Sequence, residues 1–61
     1  MKLIKFRDRV GECAINPDLV TFVAPNRGDE TLTRIWSVGD QDPVEVVGEF
    51  DAVINKLSGG V

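Results

Sequence analysis

The sequence predicts a mainly β domain: five short strands in a small antiparallel meander or partly open barrel, then one C-terminal amphipathic helix. Three observations carry this expectation. Apolar and polar residues alternate in short runs, which fits strands buried on one face. Clusters of Gly, Pro, Asn and Asp separate those runs at short intervals. Only the last segment changes period, with Phe50, Val53, Ile54 and Leu57 at i, i+3, i+4 and i+7.

In chain order, residues 2–7 alternate, so Ile4 and Phe6 face the core while Leu3, Lys5 and Arg7 point away. Asp8 to Gly11 supplies a tight reversal, with Gly11 free to take a positive φ. Glu12 to Ile15 returns as the second arm of a hairpin, Cys13 and Ile15 sharing one face. Asn16, Pro17 and Asp18 then interrupt the chain. Pro17 fixes its own φ, Asn16 is pushed out of the α region, and Asp18 is the expected acceptor for nearby backbone N–H groups. Leu19 to Ala24 is β-branched and aromatic on both faces, which predicts a central strand. Pro25 to Glu30 is a polar loop. Thr31 to Val38 forms the next strand, with Leu32, Trp36 and Val38 on one side and Arg34 between them. A turn over Gly39 to Pro43 leads to a short strand, Val44 to Val47.

In the helix that follows, Gly48 is the expected N-cap. Glu49 and Asp51 lie in the first turn and Lys56 in the last, complementing the helix dipole. Gly59 or Gly60 can close the C-terminus. Residues 1–57 therefore read as a single domain and residues 58–61 as a flexible tail.

A chain of 61 residues is one domain at most, and its core is marginal. An internal disulfide is excluded because Cys13 is the sole cysteine. With no histidine, a multi-ligand metal site is not expected, and no cofactor is implied. Self-association, or an unusually tight core, is what remains. No apolar run approaches the ~20 residues of a membrane span. The first residues lack the apolar core and cleavage site of a signal peptide. A lone thiol without a targeting segment fits a cytoplasmic setting.

Net charge is −3, unevenly spread. Residues 1–9 set Lys2, Lys5, Arg7 and Arg9 against Asp8, a local +3. The rest sets Arg27, Arg34 and Lys56 against nine acids, a local −6. An acidic balance argues against strong binding to a phosphate backbone.

Catalytic chemistry finds little purchase. Ser37, Ser58 and Cys13 have no histidine to serve them as base. Asp40-Gln41-Asp42 lacks the remaining positions of a calcium loop and reads as a solvated turn. Asn26-Arg27-Gly28 lacks the spacing of a phosphate loop, although Arg27 at a loop tip can touch an anionic partner. Lys2, Lys5, Arg7 and Arg9 offer a basic edge for nucleic acid or an acidic protein; the same charges also discourage pairing of a terminal strand. Arg34 and Trp36 complete the candidate contact set. Buried, Trp36 anchors the core, which its size favours; exposed, it marks a binding hot spot.

Several segments combine in a familiar order: Val10-Gly11-Glu12, then Ile15-Asn16-Pro17-Asp18-Leu19-Val20, a hairpin, Val46-Val47, and the helix from Phe50 to Leu57. Over nearly its whole length the chain resembles the short FlbD-type proteins of flagellar operons. Loop 25–30 and Trp36 depart from that pattern. The resemblance implies a non-enzymatic accessory role tied to motility, with no cofactor and no catalytic residue. The expected function is a small non-catalytic module for protein interaction or self-assembly. The alternative is a nucleic-acid-binding small barrel of Sm-like or OB-like type.

Overall fold

The computed structural model describes residues 2–59. The expected tail residues 60 and 61, and with them Gly60 as a helix stop, lie outside the described residues. Strands β1 (Ile4–Arg7) and β2 (Glu12–Ile15) form the expected hairpin. Ile4 lies opposite Ile15 and Phe6 opposite Cys13. This register puts the apolar side chains of both arms on one face, where Phe6 and Ile15 are buried. The turn closes differently from the expectation. Asp8 Oδ1 accepts from the backbone N–H of Val10 at 2.9 Å and of Gly11 at 2.7 Å. Gly11 does not adopt a positive φ, because the Asp8 carboxylate supplies the reversal.

A second side-chain cap follows. Asn16 Oδ1 accepts from Asp18 N–H at 3.0 Å, so the side-chain acceptor here is Asn16 rather than the expected Asp18. This bond and Pro17 shape a 3-10 turn over Pro17–Leu19, which leads into β3 (Val20–Pro25).

β3, β4 (Leu32–Ser37) and β5 (Val44–Val47) make an antiparallel sheet in the order β3-β4-β5. The strand expected to be central is therefore an edge, and β4 is the central one. Apolar residues on both faces of β3 do not mean double burial: Val20 and Val23 pack against the core while Phe22 is exposed. On β4 the core-facing residues Thr33 and Ile35 are fully buried.

The five strands do not close into a barrel. Backbone contact links β1 with β5, yet no ladder joins them, leaving a two-stranded and a three-stranded sheet. Helix α1 (Phe50–Leu57) packs against β3 and β4, and its Lys56 reaches β1. The backbone bond from Asp8 to Gly11 sets the alternation of the hairpin, so the Lys5 backbone faces away from β2. There its carbonyl accepts from Lys56 Nζ at 2.9 Å. The same ammonium lies 4.9 Å from the Phe6 ring centroid, so the Lys56 stem and charge cover an otherwise open strand edge.

Phe6, Ile15, Ile35, Val46 and Val53 form the core, with Ile4, Cys13, Val20, Val23 and Leu57 packed against it. Of the apolar helix stripe, Val53 is buried and Ile54 is exposed. Glu49, in extended conformation, is the helix N-cap; Gly48 sits one position earlier, with φ +149°. At the other end Gly59 takes φ +77° and donates to the Lys56 carbonyl, a glycine stop of the expected kind. No helix among the described residues is long and apolar enough to cross a membrane.

Candidate interaction surface

With Thr33 and Ile35 turned inward, the alternation of β4 turns Leu32, Arg34 and Trp36 to the opposite face. Cross-strand pairing adds Phe22 and Ala24 from β3 and Glu45 and Val47 from β5. A register shift between Val20 and Phe22 interrupts the strand, sending Val20 toward the core and Phe22 outward. The Phe22 and Trp36 rings meet edge to face, with centroids 5.2 Å apart at 61°. Phe22 nevertheless stays 60% exposed. The half-buried Trp36 is not part of the core cluster, which corrects the expectation drawn from its size. Beyond the pair, the Val38 N–H donates to the Leu19 carbonyl at 2.8 Å. Those side chains are 65% and 49% exposed, so they extend the apolar surface at the end of the β3–β4 ribbon.

Glu45 organises the middle of the face. It accepts from Asn26 Nδ2 at 2.6 Å, from Arg34 Nε at 3.3 Å and from Arg9 Nη2 at 3.1 Å. The Asn26 amide foremost, aided by both guanidinium groups and opposed by partial desolvation, holds the Glu45 carboxyl below the usual carboxylate range. Asn26 Oδ1 also accepts from Gly28 N–H at 2.9 Å, which shapes the 25–30 loop. Arg9 reaches Glu45 from the hairpin tip and so ties one sheet to the other.

The seven candidate contact residues do not converge. Arg9 and Arg34 are engaged by Glu45. Lys5 and Arg7 lie exposed on the outer face of the hairpin, opposite Ala14 and Glu12, and Lys2 is exposed just before it. Arg27 lines an open cleft of about 430 Å³ with Glu30, Glu49 and Asp51, an acidic surrounding. Trp36 alone joins the aromatic pair. Sequence reasoning missed Phe22 as a surface residue and Glu45 as a hub. One signal for Glu45 was present: it is the single charge of its strand, as Arg34 is of β4, and the two stand opposite one another.

Nucleophilic groups are poorly placed for chemistry. Cys13 is half-buried on the inner hairpin face. Burial, and next the Asp8 carboxylate, push its thiol above the ordinary value, so it stays protonated at neutral pH. Among the described residues no group of three or more Cys, Asp or Glu side chains is arranged to hold a metal ion. No protein-family model, curated protein or solved structure matches this chain.

Proposed function

We propose that this chain is a small non-catalytic module that binds another protein through the outer face of the β3–β4 ribbon. The exposed Phe22–Trp36 pair carries the reading. Among the described residues six apolar side chains are buried and eight large ones are exposed, so a chain short of core material leaves aromatic surface uncovered. A rigid aromatic on a sheet is a common anchor in protein interfaces. The resemblance to FlbD-type proteins adds a motility-linked accessory role, on sequence pattern alone. Cytoplasmic placement belongs to the same proposal, on the single thiol.

Nucleic-acid binding is the second reading, favoured by the exposure of Lys2, Lys5 and Arg7 on the hairpin. It is the weaker because Glu45 engages Arg9 and Arg34, and because the aromatic pair sits on the other sheet. Capture from a lysate of the native host separates the two readings. Three immobilised forms are compared: the native chain, Phe22→Asp, and the double variant Lys5→Glu with Arg7→Glu, each first shown to melt cooperatively. A protein captured by the native and charge-reversed forms but not by Phe22→Asp is the expected result. Capture lost on charge reversal and on nuclease treatment, with Phe22→Asp unaffected, would replace this reading with the second.

A further inference from the structure

We propose that the partner presents a short extended segment in which an apolar anchor is flanked by Lys or Arg, laid beside β3 over the Phe22–Trp36 pair. This rests on the reading that the face binds protein and goes further by naming the chemistry of the occupant. Three observations lead to it.

The first is area. Phe22, Trp36, Leu19 and Val38 expose on the order of 350 Å² of apolar surface, less than the roughly 450 Å² of apolar area within the about 800 Å² per partner that a stable globular interface takes. A patch of that size fits a segment of a few residues rather than a second folded copy.

The second is charge. Asp18 adjoins Leu19, and Asp40 and Asp42 follow Val38 in the next turn. All three are exposed, and none forms an ion pair among the described residues, where both ion pairs belong to Glu45. Arg34, at the other end of the face, shares the single Glu45 carboxylate with Arg9. The rim at the Leu19 and Val38 end is therefore acidic, and complementarity calls for a cationic segment there.

The third is the backbone. Asn26 N–H bonds to the Leu32 carbonyl, which with the register turns the backbones of Ala24 and Phe22 toward β4 as well. Val23, between them, presents its N–H and C=O at the free edge. Pro25 has no N–H to offer, and the register shift at Val20/Phe22 ends regular pairing on the other side. The open edge is thus short. It suits the addition of a brief strand and resists long edge-to-edge pairing between copies.

The test uses ¹⁵N-labelled full chain and a synthetic peptide of about nine residues alternating Lys with Val and Phe. Its controls are a Glu-for-Lys version and a version with N-methylated backbone. The Lys peptide is expected to shift the amides of Thr21, Phe22, Val23, Trp36 and Val38. Its affinity should fall roughly tenfold or more in Phe22→Ser and fall again when Asp18→Asn and Asp40→Asn are combined. Both controls should bind at least roughly tenfold more weakly. Equal binding of the Glu peptide at the same amides overturns the cationic assignment while leaving the face as a protein site. Equal binding of the N-methylated peptide overturns strand addition. Sedimentation velocity decides the remaining case: no peptide binding, with a dimer that Phe22→Asp dissolves, makes a second copy the occupant and overturns the proposal. Neither peptide binding nor a dimer sinks the proposal, and the capture comparison with Phe22→Asp then decides the interaction reading by itself.

Discussion

Gly48 joins the last strand to the helix, and Gly48→Ala should be among the most damaging single-methyl additions to this chain. Two separate effects act there. With φ +149°, the residue sits where L side chains are rarely found, and holding alanine there costs about 1–3 kcal/mol. An added Cβ would also stand 3.2 Å from Val53 Cγ2. Val53 is only 2% exposed and part of the core, so it has little room to yield; forcing extra volume into such a site costs about 1–3 kcal/mol. The sum, about 2–6 kcal/mol, is a large share of the roughly 3–9 kcal/mol expected for a domain of this length. Urea denaturation followed by Trp36 fluorescence reads the loss as a lower midpoint at unchanged slope. Thermal melting should fall by at least about 10 °C. Val53→Ala removes the methyl that clashes, so in that background Gly48→Ala should cost only its backbone part, a coupling of about 1–3 kcal/mol. A Gly48→Ala cost under about 0.5 kcal/mol would refute the backbone argument, within the ordinary range of surface substitutions. Equal cost in both backgrounds would refute the contact with Val53.

Three further outcomes are expected. Thr33 is fully buried and its Oγ1 donates to the Gly48 carbonyl at 2.8 Å; Thr33→Val should lose about 1–3 kcal/mol by leaving that carbonyl without its bond. Thr33→Ser keeps the hydroxyl, and denaturation midpoints that rank Val at or above Ser would contradict the role given to it. Asn16→Ala removes the acceptor that caps the 3-10 turn and should cost about 1 kcal/mol, checked by the same urea curve; an unchanged midpoint would show that Pro17 alone holds the turn. Glu45 and Asp29 both have carboxyl groups held below their ordinary values, Glu45 chiefly by Asn26 and Asp29 chiefly by the Thr31 hydroxyl. Their stabilisation is thus fully present above the unfolded carboxylate range near about 4 and is lost as pH falls through the lower folded values. Melting temperature measured against pH should drop in that acid window, and Glu45→Gln should flatten the drop; an unaltered acid limb would count against the Glu45 hub.

Much of the candidate surface was visible in the sequence only as separate residues. Arg9, Arg34 and Trp36 stood out by type, but their fates depend on partners far along the chain. Glu45 gathers Arg9, Asn26 and Arg34 from three other segments, and no local spacing announces such a meeting. Phe22 looked like core because it lies in an apolar strand. The register shift beside it is a property of the pairing between β3 and β4, not of either strand alone.

The sequence by itself determined where the elements lie. Five strands and the helix from Phe50 to Leu57 occupy nearly the expected positions, because period-two and helical patterning and turn residues are local forces acting within a few positions. The inward faces of the hairpin followed from the same alternation. Tertiary structure decided the order of the strands, the open seam between β1 and β5, the outward turn of Phe22 and Trp36, and the crowding of Val53 against Gly48. Each of these depends on which distant segments meet and how tightly they pack, and a one-dimensional pattern carries no record of that meeting.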